Sequence, residues 1–442
     1  MPVRAPATGG EQPAGNPGRR VAPSGLVAWG AMSARGASDP VPDELRALSR
    51  LTFDELAGAV DGIGAVHRAI AQRAFGAAGP GARGAQAAHD AIAGGVYAGL
   101  RGAAGALGRA ADVALERRGD PAERPLSTSP RGAAALAALN GLVGDRLERE
   151  RSALQEPMAV RVRGRAVAAE PAALAAAFPG AGARLAVFVH GLIESELAWR
   201  LGARDGREPY GARLARDLAI TPVDLRYNSG RHVSENGRSL ADLLAAVVAA
   251  WPVEVERVAL VGHSMGGLVA RSACHLAARE GADWVRRVRH VVALGTPHMG
   301  APLEQAVHVA SAALSAVPET RPLGAFLRRR SAGIRDLRHG SLVDEDWAGR
   351  DPDALRAAAV REVPLLRGAT HCFVSATETR SPRHPVGRLV GDALVLVPSA
   401  SGRSRSRRLG LRDEDGVHVG GAHHVALLNH PAVYDALRRW LS

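Results

Sequence analysis

From Val160 to the C-terminus, short apolar runs alternate with amphipathic stretches, and this rhythm constrains the fold more than any other feature of the chain. Residues 185–189, 220–225, 258–261, 288–294 and 371–375 are short apolar runs that alternate with helical stretches, so they read as strands. Residues 210–218, 239–251, 265–279 and 282–286 carry helical spacing between them. Strand, helix, strand in repetition requires parallel neighbours, because an antiparallel pair needs only a tight turn. The expected class is therefore α/β, a mainly parallel sheet with helices on both faces. Period-two alternation over 160–163, followed by Gly164 and Ala166-Val167, adds a hairpin at its start. Reactive groups in such sheets gather at the carboxyl ends of the strands.

The preceding third of the chain is different. Residues 1–40 are rich in Gly, Pro, Ala and Ser without apolar periodicity and are expected to be a disordered tail. Within it, Arg19-Arg20 and the apolar run 25–32 have the outline of a secretory leader, which Pro23 and Gly25 interrupt. Residues 41–155 read as a helical region, and 156–442 as the α/β domain with a cap inserted at about 299–370. Gly95, Gly99, Gly102, Gly105 and Gly108 recur every three to four residues, a pattern expected to form a flat face for close packing within a helical hairpin. Attachment to a membrane surface is the alternative use of such a face.

Composition removes several function classes. The net charge of +12 comes from 56 basic residues that are all arginine, scattered without interleaved aromatics, which make up only 4% of the chain. A stacking platform for nucleic acid is therefore not expected, whereas acidic substrates and anionic lipid surfaces remain open. Cys274 and Cys372 lack CxxC partners and read as small buried hydrophobes, not as a disulfide framework or zinc site. His67 and His89 have no carboxylate or cysteine at ligand spacing, so no metal or cofactor is expected. No run of 18 apolar residues exists, which points to a soluble or membrane-peripheral protein placed in the cytoplasm, with peripheral contact assigned to the N-terminal helices.

The chemistry centres on Gly262-His263-Ser264-Met265-Gly266, a G-x-S-x-G with a strand before it and a helix after it. A serine hydroxyl needs a base to accept its proton and an acid to orient that base. Near the C-terminus His423, His424 and His430 are available. His430 precedes Pro431 at a helix start and reads as structural. His424 directly precedes the apolar run 425–428 that would anchor it, so it is preferred as base over His423. Asp392 follows the strand at 371–375 and is preferred as acid. Asp415-Gly416 is the rival, but only nine residues separate Asp415 from His424. Two backbone donors must stabilise the oxyanion. They are assigned to the N–H groups of Met265 and of Leu192, the latter in the turn shaped by His190 and Gly191.

Val189-His190-Gly191, Gly262–Gly267, Leu294-Gly295-Thr296-Pro297-His298 and His424-x-x-Leu-Leu-x-His-Pro together resemble the α/β-hydrolase superfamily, in its lipase and GPI-inositol-deacylase-like esterase branch. The resemblance spans 160–442 and does not reach the N-terminal helices. It implies a serine esterase with Ser264 as nucleophile, His424 as base and Asp392 as acid, and Leu192 and Met265 as oxyanion donors, acting on a small-molecule or lipid ester. Related enzymes often have Asp-Gly at the acid, whereas this chain has Asp392-Ala393.

Overall fold

The apolar runs become strands β1 (Ala159–Val162), β2 (Arg165–Val167), β3 (Arg184–Val189), β4 (Thr221–Arg226), β5 (Arg257–His263), β6 (Val288–Leu294), β7 (Thr370–Thr377) and β8 (Gly416–Gly420). The computed structural model describes residues 40–117, 125–203, 207–318, 320–354, 360–381 and 383–442. The expected tail and the leader-like run within it lie outside the described residues. Among these, the eight strands form one sheet in the order β2-β1-β4-β3-β5-β6-β7-β8. β1 pairs antiparallel with β2 and β4, and every other neighbouring pair is parallel.

Parallel pairing demands crossovers, and the chain supplies them as helices. Ahead of the sheet come α1 (Pro40–Ala78), α2 (Arg83–Arg117) and α3 (Pro130–Arg149). Between strands lie α4 (Pro171–Ala177), α5 (Tyr210–Leu218), α6 (Val233–Ala250), α7 (Met265–Glu280), α8 (Pro302–Ser315), α9 (Arg321–Leu327), α10 (Ala332–Asp336), α11 (Pro385–Val390) and α12 (Val397–Ala400), and α13 (Pro431–Leu441) closes the chain. Alternation along β3 shows how the sheet is covered. Leu185, Val187 and Val189 join a core with α6 and α7, whereas Ala186 and Phe188 join a second core with α5 and α13. Both cores lock the strand ends in register, so Val189, His263 and Leu294 finish side by side at the edge that carries the chemistry.

Local chemistry moved some boundaries. α6 begins at Val233, six residues before the expected start, because His232 N–H donates to the Glu235 carboxylate (3.1 Å) and closes the first turn. Residues Asp283–Arg287 form a 3₁₀ turn where a helix was expected. The glycine pattern is a correction. Only Gly108, under Phe53, lies at a close helix contact, whereas a Cβ at Gly95, Gly99 or Gly102 would meet nothing within 4 Å. The hairpin is instead joined by Gly64 under the Tyr97 ring and by the ion pairs Arg50–Asp112 (2.5 Å) and Arg101–Asp61 (2.6 Å).

α3 and the segment after it lie against the sheet. Ser331 Oγ donates to Gly141 O (2.6 Å), and Asn228 Nδ2 to Gly144 O (2.9 Å). At the end of β4 the fully buried Arg226 donates to Glu196 through Nε (2.5 Å) and Nη2 (2.6 Å), and through Nη1 to Glu156 and Ser127 O (both 2.9 Å). A buried guanidinium is tolerated only with such partners, so this fork ties residues 127 and 156 to the sheet.

Candidate active site

Strand β5 runs directly into α7, and Ser264 stands at the junction with φ 52° and ψ −122°. That conformation costs a non-glycine residue about 1–3 kcal/mol and persists only where its surroundings impose it. The neighbouring glycines show the constraint. A Cβ at Gly262 would lie 2.4 Å from Gly267 N, and one at Gly266 would lie 2.1 Å from Val189 O. The junction is held to the next strand by Ser264 N–H, which donates to Leu294 O (2.8 Å). Ser264 is left partly exposed at the head of the helix.

After β7, the chain passes through α11 into a turn at Gly391-Asp392-Ala393. Asp392 Oδ1 accepts from the N–H groups of Leu394 (3.1 Å) and Val395 (2.8 Å). Its Oδ2 meets His424 Nδ1 at 2.8 Å, and His424 N–H donates to Asp392 O (2.9 Å). Both side chains are buried. Orientation by the carboxylate leaves Nε2 as the free ring nitrogen, and that atom is buried with no hydrogen-bond partner. The ring lies over Gly295, where a Cβ would come within 3.0 Å of His424 Cε1. Gly295 follows Leu294, whose carbonyl holds Ser264, so the unpartnered nitrogen and the serine share one strand end. Catalytic hydrogen bonds are often long in an unliganded site and tighten with substrate.

The rivals lie elsewhere. Asp415 sits at the opposite end of the sheet, before β8, and pairs with Arg412 (2.6 Å). His423 is exposed, its Nδ1 accepting from Ala426 N–H (3.3 Å), and His430 caps α13 by accepting from Ala432 N–H (3.2 Å).

The turn after β3 has four of its backbone groups committed, among them His190 O, which accepts from the Tyr227 hydroxyl (2.7 Å). His190 Nδ1–H donates to Gly191 O (2.8 Å) while its Nε2 accepts from Tyr227 N–H (3.2 Å). Burial pushes the His190 pKa down to about 4, so the ring is neutral, as this pattern requires. Gly191 N–H donates to Glu194 Oε2 (2.7 Å) and Ile193 N–H to Ser229 Oγ (3.1 Å). In a trans peptide C=O and N–H point oppositely. Pinning Gly191 O against His190 therefore turns the Leu192 N–H the other way, and that N–H donates to none of the described residues. The Met265 N–H at the start of α7 likewise donates to none of the described residues outside its helix. A Cβ at Gly191 would lie 3.0 Å from Ser264 Cβ, which places this turn against the serine.

Glu194 was not identified from the sequence. Its carboxylate also takes His263 Nδ1 at 2.9 Å. Burial alone would lower the His263 pKa, but the Glu194 charge outweighs it and the net direction is up. Burial would raise that of Glu194, and His263 and the Gly191 N–H outweigh it, leaving the carboxylate below its usual range. No motif marks an acid three residues after His-Gly, so only the folded turn reveals it. His298 is buried beside Arg271, whose Nη1 donates to His298 Nδ1 (3.2 Å). Among the described residues no group of three or more His, Cys, Asp or Glu side chains is placed to hold a metal ion.

The parallel sheet and the strained serine at a strand-to-helix junction define an α/β-hydrolase fold. Residues 186–347 match the family model of the PGAP1-like alpha/beta domain. No curated protein matches the sequence. Among solved structures, the mature lipase BlEst2 of Bacillus licheniformis is similar at 18% identity, covering 59% of this chain and 92% of that chain with a TM-score of 0.37. EstA of Clostridium botulinum is similar at 13% identity, covering 59% and 87%, with a TM-score of 0.35. An esterase of Pyrobaculum calidifontis is similar at 17% identity, covering 58% and 75%, with a TM-score of 0.32.

Proposed function

We propose that the protein is a serine hydrolase cleaving carboxylic esters through Ser264, His424 and Asp392. One observation carries the reading: the buried, unpartnered His424 Nε2, oriented by Asp392 through the other ring nitrogen, at the strand end that holds Ser264. Ser264 Oγ attacks the ester carbonyl as its proton passes to His424 Nε2. The oxyanion accepts the free N–H groups of Leu192 and Met265, supplemented by the positive end of α7. His424 then protonates the departing alcohol, and water, deprotonated by the same nitrogen, releases the acid. His190, Gly191, Gly262 and Gly266 shape the two turns. Leu394 and Val425, exposed next to Asp392 and His424, favour an apolar, lipid-like ester.

Hydrolysis of p-nitrophenyl esters from acetate to palmitate tests the reading, with turnover by the wild type and none by Ser264→Ala. Equal turnover by both would refute it. A second reading, a catalytically idle scaffold whose N-terminal helices bind a protein or a membrane, draws on the exposed Ile63, Ile92, Val96, Leu100 and Leu107 of α1 and α2. It requires that Ser264→Ala leave the biological effect of the protein unchanged.

A further inference from the structure

α11 runs straight into the Asp392 turn with its apolar side chains facing outward. Leu389 is 78% exposed, the highest value for a large apolar side chain among the described residues, and Val386 and Val390 are 51% and 42% exposed. Leu394, two residues past Asp392, and Val425, next to His424, are also exposed, and the Asp392–His424 hydrogen bonds bring these two segments together. The helix cannot roll these groups inward. Gly387 is its buried side, where a Cβ would lie 2.1 Å from Thr379 Oγ1. His384 Nδ1 accepts from Val386 N–H (3.2 Å), and Glu378 N–H donates to Gly391 O (2.9 Å). The projection is thus built in advance, and its ordering entropy is already met by the fold.

The charge around the projection is predominantly positive. Arg380, Arg383 and Arg388 are exposed and have no ion-pair partner among the described residues, and Glu378 is the one acid between residues 378 and 391. The exposed apolar face of α1 and α2 is of mixed charge: Arg101 is paired with Asp61 and Arg50 with Asp112, beside the exposed Arg68, Arg83 and Arg109. Branched apolar side chains with unpaired guanidinium groups around them match a surface that is anionic at its headgroups and apolar beneath. We propose that α11, with Leu394 and Val425, is the docking surface by which this chain settles on an anionic lipid leaflet. Its purpose rests on the ester-hydrolase reading, since it would set the mouth of that site against the lipid.

Flotation of the 442-residue chain with phosphatidylcholine vesicles, with and without phosphatidylserine, tests the proposal. The wild type and Ser264→Ala should bind the anionic vesicles alike, which separates docking from catalysis. Leu389→Ser, at a site too exposed to endanger folding, should weaken binding at least about tenfold. Arg388→Gln should weaken it about fivefold, and added salt should act in the same direction. Ile92→Ser on α2 should bind as the wild type does, and all variants should hydrolyse p-nitrophenyl acetate in solution at the wild-type rate, apart from Ser264→Ala. No binding by the wild type, or equal binding by Leu389→Ser, overturns the proposal. Loss of binding in Ile92→Ser instead moves the surface to the N-terminal hairpin. Self-association of the wild type abolished by Leu389→Ser, without vesicle binding, assigns α11 to a second copy and overturns it too. Vesicle binding without any ester hydrolysis would leave the docking surface standing and remove the hydrolase reading.

Discussion

Substituting Gly266 by alanine would place a Cβ 2.1 Å from Val189 O and 2.5 Å from His190 O. Real contacts of this kind do not fall below 3.0 Å, and both opponents are backbone, so no side chain can swing aside. The start of α7 and the exit of β3 must separate by about 1 Å, a displacement that can cost an active site about 10²-fold. It acts on the distance between Ser264 and the Leu192 N–H, so kcat should fall more than KM rises. The packing cost should be about 3 kcal/mol, the upper end for overpacking. With an unfolding entropy near 2.1 cal/mol/K per residue, that lowers the thermal midpoint of a chain this long by about 3–4 °C. Calorimetry and steady-state kinetics on p-nitrophenyl butyrate read both effects. Gly102→Ala is the internal control: its Cβ would meet nothing, so it should stabilise α2 by about 1 kcal/mol. Unchanged midpoint and unchanged kcat for Gly266→Ala would refute the close-approach argument.

Asp392→Asn should lower kcat/KM by about 10³–10⁴ with little change in KM, whereas Asp415→Asn should leave both near wild type; steady-state assays distinguish the two. Glu196→Ala removes two hydrogen bonds from the buried Arg226 and should cost about 3–5 kcal/mol by urea unfolding. His190 has its pKa depressed to about 4 against about 6.5 in the unfolded chain, so the unfolded state binds the extra proton. Its contribution is therefore present above pH 6.5 and is lost as pH falls toward 4, at about 1.4 kcal/mol per unit, which urea midpoints at pH 7 and 5 can follow against His190→Asn. Glu194→Ala frees the Gly191 N–H and should lower kcat through the Leu192 turn, with His263 titrating at lower pH by NMR.

The strands β3 and β5 were legible because burial on both faces demands continuous apolar runs, as in Leu185–Val189 and Val258–Val261. β8 was not, since Gly416-Val-His-Val-Gly420 is short, carries a histidine bonded to Ser375 and Thr377, and is bounded by glycines at both ends. The glycines of α2 misled because spacing records that a face is flat but not whether anything lies on it. Ser264 was read from motif and context, a strand before G-x-S-x-G and a helix after it. Asp392 was read from its station after the strand at 371–375 and His424 from the apolar run 425–428 that follows it, and their 2.8 Å contact across 32 residues is a property of the sheet edge. Glu194 and Arg226 carry no local signal, because their partners arrive from other strands and loops.

The proposed mechanism makes Ser264 an activated nucleophile. Incubation with a fluorophosphonate, followed by intact-mass and peptide mass spectrometry, tests it most directly. A single adduct is expected on the peptide containing Ser264, absent in Ser264→Ala and strongly slowed in His424→Ala. An unmodified wild-type protein, or an adduct on another residue that persists in Ser264→Ala, would contradict it.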